Sequence, residues 1–278
     1  MSHTEDTFHL SLATLNTLGI PFFSPSPKER YKAIAQEFER LAPDVINLQE
    51  VHTYSLLKTI KASLPSYPHI VYEPSLIGPK GGLVTFSKHP LHKLQFTLFT
   101  FATQPTTWQF LRPLGIYKGT LISKMTNLPL LIFNTHLTAN GTGDWSRASK
   151  LYPTHEAQLD QLSKLIEQVT GQESVAVISG DFNIPKCSEL YRKFLDLSQA
   201  KDAFGPDDTP TFHPEFLPPG KQTHRIDYIF TYSPEANVEV NESSLLFQDK
   251  MQLPNGKTSY LSDHIGLMAV LSFALPGA

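Results

Sequence analysis

The chain lacks most of what marks disulfide-stapled, membrane-spanning or nucleic-acid-coating proteins. It has a single cysteine, Cys187, so no internal disulfide can form and a cysteine-based zinc site is excluded. Stability must come from burial and hydrogen bonds, and neither a reducing nor an oxidising compartment follows. Crossing a bilayer takes roughly 20 apolar residues, and the longest apolar runs, such as Ile265 to Leu271, stop far short of that. Met1 to Leu10 carries Glu5 and Asp6 and no basic stretch followed by an apolar one, so no Sec-type leader is expected. Charge of one sign is scarce as well: 23 Lys and Arg against 26 Asp and Glu leave a net charge of −3. Tight non-specific binding to duplex DNA draws on a basic excess that is missing here. There is no fixed-period repeat and no long linker. A composition of 40% hydrophobic and 18% charged residues over 278 positions excludes disorder, collagen and coiled coil. One domain spanning 1–278 is the economical reading.

The local patterns are those of a mixed α/β chain. Phe8 to Asn16 alternates like a strand and runs into a turn at Gly19 and Pro21. Ser26, Pro27 and Glu29 then form an N-cap, first-turn and capping-box signature ahead of a helix through Tyr31, Ile34, Ala35, Phe38 and Leu41. Asp44 to Glu50 is a short apolar run ending in acid, and a second helix is expected from about Thr53 to Leu64. Between Ile70 and Phe133 come short β-type runs separated by Gly, Pro and Asn, which read as antiparallel strands. Leu159, Leu162, Ile166 and Val169 mark a long helix, Ser174 to Ser179 a buried strand and Glu189 to Leu197 a short helix. Arg225 to Thr231 and Ile265 to Phe273 complete the set as strands. Sheets packed inside helices follow from this alternation.

Packing alone does not explain why the apolar strands keep meeting a polar residue at one end. Asn16 closes the first strand and Glu50 the second. His136 ends the run from Leu130, while Asp181 and Asn183 follow the run from Val175. Asp227 opens Tyr228 to Phe230, and Asp263 and His264 open the strand from Ile265. If those last two strands run antiparallel to the others, every one of these side chains gathers on one edge, and that edge is a candidate active site. Its inventory of carboxylates, imidazoles and amides, with no thiol, suits a hard cation such as Mg²⁺ or Mn²⁺. Clustered carboxylates repel one another and favour such a cation. A hard cation beside a histidine and amide donors is what hydrolysis of a phosphate ester requires.

The fragments Asn16, Gln49-Glu50, Asn134-Thr135-His136-Leu137, Gly180-Asp181-Phe182-Asn183, Arg225-Ile226-Asp227-Tyr228 and Ser262-Asp263-His264 resemble, in order and spacing, the endonuclease/exonuclease/phosphatase superfamily. Within it, Asn16 to Pro21, Gly82 to Pro90, Thr135-His136-Leu137 and Leu261 to Ala269 look most like the neutral sphingomyelinases. The resemblance implies a DNase I-like four-layer α/β/β/α sandwich of two mixed, mainly antiparallel sheets. It implies a metal-dependent phosphodiesterase that hydrolyses sphingomyelin to ceramide and phosphocholine. Carried over residue by residue, it makes Glu50 the principal metal ligand, with Asn16 and Asp263 beside it. His264 becomes the general base oriented by Asp227, and Asp181 positions the attacking water. Asn183 and His136 meet the phosphoryl oxygens, with Lys118 on the same phosphate side. His264 and Asp181 both stand as proton acceptors, and an imidazole with pKa near 6.5 is the better base near neutral pH. In part of the family a lysine equivalent to Lys118 pairs with an upstream aspartate. Leu91 to Lys118 contains no Asp or Glu, so that local pair cannot form here.

Several residues carry plainer readings. Asp181 and Asn183 would also suit an Asx turn after a strand. Arg225 is either a partner for an acid in the site or a surface residue, and His155, His213 and His224 read as surface residues. Phe96 to Leu111 reads mostly as core strand, but the tip from Thr103 to Gln109 holds Pro105 and Trp108 among polar residues, which suits a tryptophan dipping into a lipid interface. A net charge of −3 gives little attraction to anionic lipid, so a zwitterionic choline sphingolipid fits as substrate better than a phosphoinositide. The expectation is a monomer in peripheral contact with a membrane surface, cytoplasmic or exported by a non-Sec route. The alternatives are a nuclease acting on abasic or other DNA or RNA, an inositol-lipid phosphatase, and a catalytically inert binding module.

Overall fold

In the computed structural model, residues 7–20, 25–99, 118–171 and 174–274 are described. Two six-stranded sheets lie face to face. The first runs β11 (Val238–Leu246), β14 (Gly266–Ala274), β1 (Thr7–Asn16), β2 (Val45–Gln49), β4 (Pro79–Ser87) and β3 (His69–Pro74). The second runs β5 (Leu91–Leu98), β6 (Gly119–Met125), β7 (Leu130–His136), β8 (Val175–Asp181), β10 (Asp227–Tyr232) and β9 (Lys201–Asp202). A small hairpin of β12 (Met251–Gln252) and β13 (Thr258–Ser259) stands apart. Helices α1 (Pro27–Leu41) and α2 (Tyr54–Lys61) cover the outer face of the first sheet, and α3 (Tyr152–Val169) and α4 (Glu189–Ser198) cover that of the second. Three apolar layers hold the four together: Ile34, Phe38, Leu48 and Phe86 under the first helix pair, Leu159, Phe133, Ile178 and Phe194 under the second, and Leu12, Ile132, Val177 and Leu271 between the sheets. This is the expected four-layer sandwich.

Each sheet has one parallel pair at its centre, β1 with β2 and β7 with β8, and every other pairing is antiparallel. A parallel pair needs a long crossover, and α1 and α3 supply the two. Flanked by helices on one face and the opposite sheet on the other, β2, β7 and β8 are buried at every position, which is why β7 and β8 open on apolar runs, Leu130 to Phe133 and Val175 to Ile178. Amides tie the sheets together where the core turns polar. Asn47 Nδ2 donates to the Phe133 carbonyl (3.1 Å) and to Ser179 Oγ (2.9 Å), and Gln49 Nε2 donates to Asn134 Oδ1 (2.8 Å). Asn134 Nδ2 in turn donates to the carbonyls of Leu48 and Val84, both at 3.0 Å. Such a network fixes how the sheets slide against each other.

The start of α1 departs from expectation. Pro27 does occupy the first turn, but Ser26 has φ of 42° and its side chain caps nothing. A capping serine needs extended backbone. Here the turn is held instead by Arg30, whose Nε donates to the Pro25 carbonyl at 3.0 Å. Thr53 and Ser188 do cap α2 and α4, accepting from the Leu56 and Tyr191 amides. Within the described part of the Phe96 to Leu111 segment, Leu98 on the edge strand β5 is 38% exposed while Phe99 is buried, so only part of it is core. Trp108 and its loop tip lie outside the described residues.

Candidate active site

The carboxyl ends of both parallel pairs point to the same edge of the sandwich, and α/β folds place ligands at such ends. Asn16 and Gln49 lie opposite each other at the ends of β1 and β2, and His136 lies opposite Asp181 at the ends of β7 and β8. Since β10 runs antiparallel to β8, its first residue, Asp227, falls in register with Asp181. Likewise β14 runs antiparallel to β1, so the Ser262-Asp263-His264 turn that precedes it arrives at the same edge. The antiparallel arrangement on which the convergence depended is present.

Asp181 stands at the centre, 1% exposed. Its Oδ2 accepts from Asn16 Nδ2 at 3.0 Å, lies 3.2 Å from His136 Nε2 and 3.7 Å from His264 Nε2. Its Oδ1 accepts the Asn183 amide at 2.9 Å, so the Asx turn and the site role coexist. On the far side of the imidazole, His264 Nδ1 donates to Asp227 Oδ2 at 2.9 Å, and the same oxygen accepts from Thr211 Oγ1 at 2.7 Å. Thr211 reaches it because residues 211 and 213 pair with 265 and 263 as a short ladder.

The electrostatics of this group follow from burial and pairing. Burial alone would raise the Asp181 carboxyl, but the His264 and His136 imidazoles and the Lys118 ammonium outweigh it and hold the group below the usual carboxylate range. Burial pushes Asp227 up to about 6, with His264 opposing and Asp181 adding. Burial disfavours a charged His264, yet Asp227 and Asp181 outweigh it and raise the imidazole well above 6.5. His264 is therefore a strong proton acceptor. Buried and beside Lys118, His136 moves the other way and stays neutral. The Lys118 ammonium stands against the ring, 2.5 Å from Nε2 and 3.2 Å from Nδ1, with Asp181 Oδ2 3.2 Å from the same Nε2.

Glu50 occupies the turn after β2 with φ of 64°, a left-handed conformation that costs a residue with a side chain roughly 1–2 kcal/mol. Its carbonyl accepts from the Tyr31 hydroxyl (3.1 Å) and the His52 amide (2.9 Å). Gly82 makes the room: it has φ of 67°, and a Cβ there would stand 2.8 Å from Glu50 Cα. The Glu50 carboxylate favours the charged forms of Lys118 and His136, which places it on the His136 side of the site. The side chains whose ligand atoms lie within 4.8 Å of one another are Asp181, Asp227 and His264, so the tightest donor cluster is formed by those three and not by Glu50, Asn16 and Asp263. Asp263 is half-buried, accepts from Ser262 Oγ at 3.1 Å, and bears electrostatically on Arg30 and His264. Asn183 takes φ of 55° and gives one amide hydrogen to the Leu137 carbonyl at 3.1 Å. Between Asp181 and Asn183, Phe182 is buried against Phe194, Tyr228 and Phe230, with centroids 5.1–5.5 Å away, and pins the turn to the core.

Several expectations need correction. His155 and His213 are buried, at 0% and 3% exposure. His155 Nε2 donates to the Thr138 carbonyl at 2.7 Å, and Gln158 accepts the Thr138 amide at 3.0 Å, so α3 clamps the segment just beyond His136. His213 stacks on Tyr260 at 3.9 Å, and its amide donates to the Asp263 carbonyl at 2.9 Å. His224 is half-buried with its ring edge-on to Trp145 at 5.3 Å. Arg225 is 1% exposed and bonded to Asp202, which makes it a buried structural partner outside the site. Arg30 and Thr211 carried no sequence signal. Arg30 donates to the carbonyls of Thr17 (2.9 Å), Leu18 (2.6 Å) and Leu261 (2.6 Å), joining the loop after β1 to the turn that holds His264.

Comparisons with known proteins bear on the family and the fold. Over 94% of its length the chain is 28% identical to a putative neutral sphingomyelinase of Drosophila melanogaster, covering 60% of that protein. Over 95% it is 25% identical to sphingomyelin phosphodiesterase 2 of Homo sapiens, covering 65%. The chain thus spans less than two thirds of either relative's length. Its fold superposes on sphingomyelinase C from Streptomyces griseocarneus with a TM-score of 0.68 at 18% identity, covering 94% of this chain and 99% of that one. It superposes equally, at 0.68 and 17% identity, on D. rerio TDP2 complexed with a single-strand DNA product, covering 95% and 98%. One fold thus serves proteins of different names, and the substrate has to be argued from the site. The profile of the Endonuclease/Exonuclease/phosphatase family matches residues 13–264, and with the site residues meeting at one sheet edge, this chain belongs to that family.

Proposed function

We propose that the chain hydrolyses the phosphodiester of a choline sphingolipid, releasing phosphocholine from sphingomyelin at a membrane surface. The observation that carries it is the convergence of Asn16, His136, Asp181, Asp227 and His264 on one buried cluster, with Glu50 on the same edge. The relatives' names supply the lipid. Phe216, which is 41% exposed, and the exposed Pro218 and Pro219 follow Phe212 along the chain and offer apolar surface that suits contact with lipid.

His264 Nε2, turned toward Asp181, takes the proton from the attacking water, while Asp227 fixes the ring through Nδ1 and stabilises the imidazolium that results. Asp181 is kept ionised and orients that water. The second amide hydrogen of Asn183 and the His136–Lys118 pair meet the charge that develops on phosphorus. The residues fit a divalent cation: Glu50, Asn16, Asp181 and Asp263 bring oxygen-bearing side chains to one edge, and hard oxygen donors suit such an ion. Glu50, with Asn16 and Asp263, would hold Mg²⁺ or Mn²⁺, and a cation bound there supplies neutralisation of the phosphoryl oxygens and the leaving alkoxide.

The test offers sphingomyelin, phosphatidylcholine, inositol lipids and abasic DNA in parallel with Mg²⁺ or EDTA. Phosphocholine release from sphingomyelin is expected, lost in EDTA and restored by Mg²⁺. In His264→Ala it falls at least roughly 10²-fold, the low end for a lost general base. Preferred cleavage of DNA, or full activity in that variant, would overturn the reading.

A further inference from the structure

Beside the reacting centre lies a cavity of about 200 Å³ lined by Trp145, Asn183, Phe212, Leu217, His224 and Ile226, among others, and none of its lining residues is Asp, Glu, Lys or Arg. Ligand pockets for whole small molecules run to roughly 300–1,000 Å³, so this one suits a single compact group. Two of its walls belong to the active site. Asn183 follows Asp181 by two residues, and the Phe212 ring stands edge-on to the His264 imidazole, with centroids 5.0 Å apart at 86°. The aromatic wall is fixed in place: Trp145 Nε1 donates to the Asn183 carbonyl at 2.8 Å, and the His224 ring packs against the indole at 81°. A substrate group filling this cavity while its phosphorus stood beside Asn183 and His264 would need only a short tether between the two.

The lining chemistry narrows that group. Without a lysine or arginine the cavity offers nothing to a further phosphate. Without an acid, a primary ammonium entering it would leave its N–H donors poorly satisfied and lose hydration without compensation. A trimethylammonium has no N–H to satisfy and presents methyl groups to apolar walls, and aromatic faces, indole best of all, attract its charge. We infer that the Trp145–Phe212–His224 cavity is the head-group subsite, built to take a quaternary ammonium and to prefer choline over ethanolamine. This inference rests on the reading that a phosphodiester is cleaved at Asp181 and His264.

Calorimetric titration of the full chain with phosphocholine, phosphoethanolamine and adenosine 5′-monophosphate tests it apart from catalysis, and kcat/KM for sphingomyelin against ceramide phosphoethanolamine tests it within catalysis. Phosphocholine should bind more tightly than phosphoethanolamine, tetramethylammonium should compete with it, and Trp145→Leu should weaken it roughly 5- to 30-fold. Trp145→Phe, which keeps a ring, should retain most of the affinity. His224→Leu provides the same test should the tryptophan variant fail to fold. Equal binding of the two phosphate esters, tighter binding of the nucleotide, or indifference to Trp145→Leu would overturn the subsite. If sphingomyelin is cleaved but head-group preference survives Trp145→Leu, the subsite falls and the reaction stands. If no lipid is cleaved yet phosphocholine binds through Trp145, the reaction falls and the subsite stands.

Discussion

Replacing Asp227 by Asn tests how much of the proposed base is built by its partner. The substituted side-chain amide would keep an acceptor oxygen for both His264 Nδ1 and Thr211 Oγ1, the groups that Asp227 Oδ2 holds at 2.9 and 2.7 Å, so the ring should stay in place while the charge behind it disappears. A hydrogen bond to a charged group contributes about 1.5–3 kcal/mol, and one pKa unit is about 1.36 kcal/mol. Losing the charge should therefore lower the His264 imidazole by about 1–2 units. The sign follows from the pairing: Asp227 and Asp181 raise this imidazole well above 6.5, so wild-type kcat/KM should climb as pH rises through that elevated value. In Asp227→Asn the climb should begin at lower pH. Its plateau should fall about 10- to 100-fold, because the imidazolium formed during water attack has lost its counter-charge. A pH–rate profile on sphingomyelin reads the effect, and a histidine NMR titration of the cation-free chain reads the same displacement without any substrate. A midpoint that stays within about 0.5 unit of wild type, or moves upward, would refute the role given to Asp227.

Three further outcomes follow from packing. In Gly180→Ala, a Cβ would stand 2.0 Å from the Thr135 carbonyl oxygen where φ is 142°, so β7 and β8 cannot stay paired and denaturant unfolding should show a loss above about 3 kcal/mol; a near-neutral value would refute the close approach. Arg225→Met removes the only cation bonded to the buried Asp202 carboxylate among the described residues, leaving it the Tyr191 hydroxyl and the Phe204 amide, and a cost of about 3 kcal/mol, the low end for a broken buried pair, is expected in the same assay. Burial lowers the His155 pKa in the folded chain, while the unfolded chain titrates near 6.5. As pH falls below about 6.5 the unfolded state takes up a proton that the folded state refuses, so stability drains away until the depressed folded pKa is reached. His155→Gln should lose stability less steeply over that window, by up to about 1.4 kcal/mol per pH unit, and parallel curves for the two proteins would refute it.

The alternation of strands and helices was legible because each element announces itself locally. β7 and β8 are buried on both faces and open on runs of four apolar residues, and α2 begins at a threonine that caps it. The polar residues at the strand ends stood out for the same reason: Asp181 and His136 end apolar runs that packing alone would have continued. Ser26 misled because a capping sequence was overridden by a tertiary contact, the reach of Arg30 to the Pro25 carbonyl. His155 and His213 misled because a neutral imidazole can be buried against a carbonyl or a phenol ring, and no local pattern marks such a partner.

The sequence by itself determined the order of the elements, which residues close each strand, and the family to which the chain belongs. All of these depend on neighbours along the chain and on their spacing. Only the tertiary structure decided that Asp227 holds His264 while Asp181 sits between two imidazoles and Asn16, that Thr211 and Arg30 support them, and that an aromatic cavity opens next door. Those contacts join groups as far apart as the 231 residues separating Arg30 from Leu261. Crossover connections and sheet register set which strand ends become neighbours, and burial then sets which of the neighbouring groups carry charge.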